Sequence, residues 1–301
     1  MPSPIGYDVA GIVERVGAGV TSLKPGTAVF SRVPENRRGT FQEYIVCSAS
    51  DLSLKPTKMS FEDAAALPLV SLTALQCFEH AVLNKPEGVD WFKGKTVLIL
   101  SGLGSVGAAA CLLAKNVFGV GKVITTVSTS KVPLVPQMLG EGIVDEIIDY
   151  KTQNPTKVLQ TKSVDFLLDT VGSAFSFLHI MKPGGVISTV AFIPSTDSMT
   201  KVFPHLSFFL YSAIYAVEKL SKLRARRYGV ELISELLETN SEKLNLIAQY
   251  YLDGKIKAFI AAVVPLSDEE RVKEAFTKVN AATGYTGKMV VRISDPSLLT
   301  N

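Results

Sequence analysis

Three cysteines and three histidines are all that 301 residues supply of the usual nitrogen and sulfur metal ligands, and they lie far apart at Cys47, Cys77, Cys111, His80, His179 and His205. No C-x-x-C pair and no Cys/His set of tetrahedral spacing occurs, so neither a zinc module nor a disulfide framework is expected. The odd, scattered thiols point to a reducing compartment, and a cytoplasmic location is expected. A surplus of one charge is lacking too: 31 basic against 28 acidic residues leave a net charge of +3. No basic stripe follows the chain, and nucleic acid is not an expected partner. The opening Met1-Pro2-Ser3-Pro4 shows neither a charged and apolar leader nor an Arg-rich amphipathic helix, so no address is expected from it.

Long apolar runs are also missing. The longest candidate, Leu206–Val217, falls short of the roughly 20 residues that cross a bilayer. It is followed by Lys219, Lys222, Arg224, Arg226 and Arg227. That pattern fits a buried or interface helix with a solvated basic end, or a helix in peripheral contact with a lipid surface.

What is present is a well-cored chain, 47% hydrophobic and 20% charged. From Gly6 to about Leu54, valine-rich runs are cut by Gly6, Gly11, Gly17, Gly19, Pro25-Gly26, Pro34 and Gly39, which predicts short antiparallel strands. Ser60-x-x-Asp63 predicts a helix start, and Pro68 a break before a second helix near Ser71. The period then changes. Apolar strands are expected at Thr96–Leu100, Val123–Val127, Glu146–Asp149, Val164–Leu168 and Gly185–Val190, with helix-length segments between them, which is the rhythm of a doubly wound parallel sheet. Helices are expected at Val230–Leu237, at Ser241–Leu252 and after Ser267, and strands at Phe259–Val264 and Met289–Ile293.

The string Gly102-Leu103-Gly104-Ser105-Val106-Gly107 follows a buried strand and opens an apolar helix, the context in which G-x-G-x-x-G binds a dinucleotide. Gly102 is expected to make the tight turn, Gly104 to admit a pyrophosphate, and Gly107 to let helix and strand pack closely. The phosphates would meet free N–H groups at Ser105, Val106 and Gly107. An NAD site places Asp or Glu at the end of the next strand, roughly 20 residues on. Here that place reads Ser128-Thr129-Ser130-Lys131, whose hydroxyls and ammonium suit a 2′-phosphate, so NADP is the expected cofactor.

Taken together, several strings resemble the zinc-free branch of the medium-chain dehydrogenase/reductase superfamily, the quinone-oxidoreductase-like and enoyl-reductase-like proteins. They are Gly6-Tyr7-Asp8 through Gly17, Pro68-Leu-Val-Ser-Leu-Thr73, the glycine loop, Ile148-Asp149-Tyr150-Lys151, Asp169-Thr170-Val171-Gly172, Lys182-Pro-Gly-Gly185 and Thr286-Gly287-Lys288, in family order over nearly the whole chain. The resemblance implies a Rossmann domain plus a partial GroES-like β lobe, divided as 1–78 catalytic lobe, 79–255 nucleotide domain and 256–301 return to the lobe. It implies that Tyr150 lies against the phosphorylated ribose, that Thr170, Val171, Gly172, Ala191 and Phe192 line the ribose and nicotinamide, and that Thr73 stands near the nicotinamide.

Two departures qualify the resemblance. Zinc alcohol dehydrogenases of the superfamily show Gly-His-Glu where this chain has Gly6-Tyr7-Asp8, and their four-cysteine lobe is absent. The chain also starts almost at that string, so a shortened front to the β lobe is expected. The implied activity is hydride transfer from NADPH to an enone, enoyl or quinone substrate without zinc, with no catalytic proton donor named and a homodimer as one assembly. A non-catalytic NADPH-binding protein, with or without lipid contact through Leu206–Val217, is the rival reading. Because no tetrahedral donor set exists, the purified protein should hold well under one zinc per chain by elemental analysis and keep its properties in chelator. Stoichiometric zinc lost together with activity would contradict this.

Overall fold

The computed structural model describes residues 5–191, 195–196, 199–200, 207–280 and 286–294. The chain divides into two units, Met1–Leu72 with Glu238–Asn301, and Thr73–Leu237. In chain order, the first unit opens with strands β1 (Asp8–Ile12), β2 (Ala28–Arg32) and β3 (Ser53–Leu54), then helices α1 (Phe61–Ala66) and α2 (Pro68–Ala81), the division falling inside α2. The strands β1, β2 and β3 form an antiparallel sheet in that order, as the glycine-punctuated pattern predicts. Ser60 caps α1 by accepting the Asp63 N–H at 3.0 Å.

The second unit carries β4 (Thr96–Ile99), α3 (Ser105–Asn116), β5 (Lys122–Val127), α4 (Leu134–Leu139), β6 (Glu146–Asp149), α5 (Pro155–Val158), β7 (Val164–Asp169), β8 (Met181–Thr189), α6 (Phe208–Arg226) and β9 (Glu231–Ser234). Its six strands are all parallel, in the order β6-β5-β4-β7-β8-β9. This is the Rossmann order, and the strand order reverses between β4 and β7, where such sheets bind their ligands. Every residue of β7 is buried, in keeping with the apolar Phe166–Leu168 between its two aspartates. Phe78, Phe92, Phe118 and Phe166 form one aromatic cluster within this unit, with ring centroids 4.7–5.5 Å apart. At the N-terminal ends of the strands, Asp165 accepts the Thr96 N–H at 2.9 Å and pairs with Lys182 at 2.7 Å. A Cβ on Gly185 would come within 2.8 Å of the Asp165 carbonyl oxygen. The Lys182-Pro-Gly-Gly185 string is therefore a packing device of β7 against β8.

Two expectations are corrected here. Val230–Leu237 is not a helix: Glu231–Ser234 is the sixth strand, paired to β8 from Val186↔Glu231 to Thr189↔Ser234. The unsatisfied edge of β8 outweighs the weak helical period of so short a run. The helix at Leu206–Val217 is not buried along its apolar run, since Phe208, Phe209 and Leu210 are exposed; Leu206 lies outside the described residues.

The chain then returns to the first unit with α7 (Ser241–Leu252), β10 (Ile260–Pro265), α8 (Glu269–Asn280) and β11 (Lys288–Arg292), β10 and β11 pairing in parallel. Helix α7, expected in the nucleotide domain, belongs instead with the β lobe, where Asn245 accepts from Ser53 and Tyr251 donates to Asp63 at 2.7 Å. Polar links that hold the return to the opening segments include Tyr251–Asp63, Arg292–Glu62 at 2.7 Å and Lys288–Asp8 at 2.7 Å. Of the two ion pairs, Lys288–Asp8 is the more buried. The Asp8 carboxylate also accepts the Leu69 N–H at 2.9 Å, at the start of α2. Burial pushes the Asp8 carboxyl above its ordinary value despite Lys288, so its ionised form depends on that cation. Gly287 stands beside Lys288 at φ 123°, where a Cβ would meet the Phe259 carbonyl oxygen at 2.5 Å. Lys288→Met should therefore lower stability by about 3–5 kcal/mol, because it strands a buried carboxylate, and adding Asp8→Asn should recover part of the loss. Urea titrations of both variants check this; additive losses would show that the pair is not coupled.

Candidate functional site

The site forms at the C-terminal ends of the parallel strands of the second unit. Between β4 and α3 the chain turns through Ser101, whose φ of 57° is left-handed, and not through Gly102. Gly102 is needed for space: a Cβ there would come within 2.0 Å of the Thr125 hydroxyl oxygen. The turn role expected for Gly102 therefore passes to Ser101, whose N–H is held by the Thr126 hydroxyl at 3.0 Å. A Cβ on Gly107 would meet the Ser101 carbonyl oxygen at 2.2 Å, so this glycine lets α3 start hard against the loop. At Gly104 a Cβ would meet the Ser101 side chain and carbonyl at 2.8 and 3.0 Å.

Gly104 is also the N-cap of α3, with no side-chain cap and no acid in the first turn. The first N–H groups of a helix have no partner inside it, and here the positive end of the macrodipole meets no carboxylate of its own turn. Ser105, Val106 and Gly107 thus stand at the uncapped, positive end of α3.

The second element is the end of β5. Ser128 precedes a short turn, Thr129–Lys131, without a side-chain capping bond, and Thr129 and Ser130 are exposed and Lys131 half-buried. The pairing of β5 with β6 sets Val127 opposite Asp149, and the Tyr150 N–H donates to the Val127 carbonyl at 3.1 Å. Ser128, Ser130, Lys131 and Tyr150 are thereby gathered on one edge, although Tyr150 is distant in sequence. The same pairing brings in an acid that sequence reasoning missed. Asp149 accepts from the Thr129 hydroxyl at 2.7 Å and the Lys151 N–H at 2.9 Å, and these bonds hold its carboxyl below the ordinary range. The acid that the β5 end lacks in sequence is supplied in space by β6, already engaged by its own turn.

The third element is the turn after β7. Asp169 is fully buried, and its carboxylate accepts the N–H groups of Val171, Gly172, Ser173 and Ala174 at 2.9–3.2 Å and the Thr189 hydroxyl at 3.1 Å. Thr170 donates from its hydroxyl to the Leu100 carbonyl at 2.8 Å, tying this turn to the glycine loop. Gly172 has φ 83°, and a Cβ there would lie 3.6 Å from the Ala191 carbonyl oxygen. Thr170, Val171, Gly172 and Ala191 thus sit together beside the loop. Phe192 lies outside the described residues.

Thr73 is buried on α2, on the helix that also carries Gln76, Cys77 and His80. Gln76 and His80 both bond to the buried Glu235, at 3.1 and 2.9 Å, and the Ser188 hydroxyl donates to it at 3.3 Å. Glu235 follows β9, and misreading that strand as a helix concealed this carboxylate. Cys77 and Cys111 are no nucleophiles, because burial pushes both thiols up, Cys111 to about 12. Among the described residues no group of three or more His, Cys, Asp or Glu side chains could hold a metal ion.

Residues 144–291 match the family described as zinc-binding dehydrogenase, and residues 1–57 the alcohol dehydrogenase GroES-like domain. The chain is 31% identical over 297 residues to the tomato (Solanum lycopersicum) 2-methylene-furan-3-one reductase, which covers 97% of this chain and 64% of that protein. It is 30% identical over 301 residues to the mouse (Mus musculus) mitochondrial NAD(P)H oxidoreductase RTN4IP1, covering 97% of this chain and 71% of that protein. The chain thus spans less than two thirds of the length of the first of these relatives and 71% of the second. The quinone oxidoreductase structure from Coxiella burnetii superimposes with a TM-score of 0.76 at 24% identity, over 98% of this chain and 80% of that one.

Replacing one Asp169 oxygen by an amide should break the acceptor network. Asp169→Asn should cost about 1–3 kcal/mol through the stranded Ala174 N–H and weaken nucleotide binding, read by urea unfolding and by fluorescence titration. An unchanged unfolding midpoint would show that the carboxylate does not organise the turn.

Proposed function

The chain belongs to the quinone oxidoreductase-like branch of the medium-chain dehydrogenase/reductase superfamily, and we propose that it binds NADPH and serves hydride transfer to an activated C=C or quinone substrate without zinc. The observation that carries the reading is the uncapped start of α3, with Gly104 and Gly107 shaped for close approach, beside the Ser128–Lys131 turn. The nicotinamide cofactor, when bound, supplies the hydride. The N–H groups of Ser105, Val106 and Gly107 would hold its pyrophosphate, and Ser128, Ser130, Lys131 and Tyr150 its phosphorylated ribose. The Asp169-ordered turn, with Thr170, Val171, Gly172 and Ala191, would place the rest of the cofactor, and buried Thr73 would stand toward the nicotinamide.

The preference for the 2′-phosphate is a balance of charge. Lys131 and Lys151 favour it, and Asp149 opposes it, although the Thr129 hydroxyl and the Lys151 N–H already share the Asp149 charge. Two cations against one engaged anion support NADPH over NADH.

The residues present do not suit a zinc ion. Asp8, at the position where zinc enzymes of the superfamily show Glu in Gly-His-Glu, is committed to Lys288 and the Leu69 N–H. Its neighbour is Tyr7, and the cysteines stand far apart. Catalysis would then rest on backbone donors, a hydroxyl or water to meet the oxyanion of an enolate or hydroquinone. Three free thiols fit a reducing compartment such as the cytoplasm, and a homodimer is part of the reading.

Lys131→Ala should weaken NADPH by about 10- to 150-fold, the worth of a charged hydrogen bond, and leave NADH nearly unchanged in a fluorescence titration. Equal losses for both cofactors would remove Lys131 from the 2′-phosphate. Oxidation of NADPH should follow the addition of 1,4-quinones or enones; tight NADPH binding without any turnover would favour a non-catalytic binder.

A further inference from the structure

Helix α6 buries a mixed face and turns an apolar stripe outward. Ile214, Glu218, Ser221 and Ala225, four, three and four residues apart, are its buried face. Glu218 anchors that face by accepting from the Thr196 N–H and hydroxyl at 2.8 and 2.6 Å and pairing with Lys222. On the opposite side Phe209, Ala216, Leu220 and Leu223 follow at spacings of seven, four and three, which align on one face of a helix. Phe208 and Phe209 are 77% and 84% exposed, and Leu220 and Leu223 are 66% and 51% exposed. Surface helices ordinarily turn such residues inward.

The charges along this helix have one sign where solvent reaches them. Its only acid, Glu218, is on the buried face, whereas Lys219, Arg224, Arg226 and the following Arg227 are exposed. At 3.6 residues per turn, Lys219 and Arg226 border one flank of the apolar stripe and Arg224 the other. We propose that α6 docks this protein onto an anionic phospholipid bilayer, lying flat with Phe209, Leu220 and Leu223 among the acyl chains and its basic flanks on lipid phosphates. No described helix is long and apolar enough to cross a membrane, so the contact is peripheral. A second copy of the chain is a poorer occupant, since α6 exposes no acid to meet the cations of its mate. The proposal is independent of the oxidoreductase reading.

Vesicle flotation with the full chain tests it. At low salt the protein should float with phosphatidylcholine vesicles doped with phosphatidylserine, float far less with phosphatidylcholine alone, and detach as salt rises. A basic residue near such a surface is worth about 1 kcal/mol, or about fivefold, so Lys219→Ser, Arg226→Ser and Arg227→Ser together should weaken binding about a hundredfold. Phe209→Ser with Leu220→Ser should abolish flotation while circular dichroism and the thermal midpoint stay unchanged, and Phe209→Ser alone serves if the pair fails to fold. Absent flotation at low salt, equal binding to both vesicle types, or binding indifferent to these substitutions would overturn the proposal. So would a dimer in analytical ultracentrifugation that the same substitutions dissociate.

Discussion

The candidate site depends on one buried carboxylate. Asp169, fully buried, ends the central strand β7 and accepts from four successive backbone N–H groups and a hydroxyl. The two oxygens of a carboxylate accept all five, three on one and two on the other, and no neutral side chain of that size has two such acceptors. The turn it fixes carries Thr170 to the Leu100 carbonyl and Gly172 to Ala191, so the ends of β4, β7 and β8 are registered to one another. The glycine loop can then leave α3 uncapped, because the surrounding backbone is already held.

A second buried carboxylate does comparable work in the other unit by a different route. Asp8 meets a cation, Lys288, and the first N–H groups of α2 through Leu69. Two strings nearly the length of the chain apart, Gly6-Tyr7-Asp8 and Thr286-Gly287-Lys288, thus carry the two halves of one ion pair. Breaking such a pair costs more than forming it gains, since the survivor is left charged and dry.

Much of this was legible along the chain. The five expected strands of the parallel sheet stand where the apolar runs put them, and the antiparallel lobe where glycine and proline cut the sequence. The glycine loop was recognisable because its three glycines answer to local crowding, by Thr125, by Ser101 and by the Ser101 carbonyl. The reason assigned to Gly102 was not legible, because Thr125 arrives from the next strand. Asp149 escaped notice for the same reason, as did Glu235, which follows a run whose period suits a helix as well as a strand.

What the sequence by itself determined is whatever rests on interactions within a few residues: most strand and helix periods, the capped start of α1, and the strand–turn–helix of the glycine loop. Tertiary structure alone decided which carboxylate meets which partner, that Val230–Leu237 completes a sheet instead of coiling, that α7 joins the β lobe, and which side of α6 faces out. The reason is physical. Periodicity states that a segment has two faces, but only the packing of distant segments, with every buried N–H and charge satisfied, selects the face that is covered.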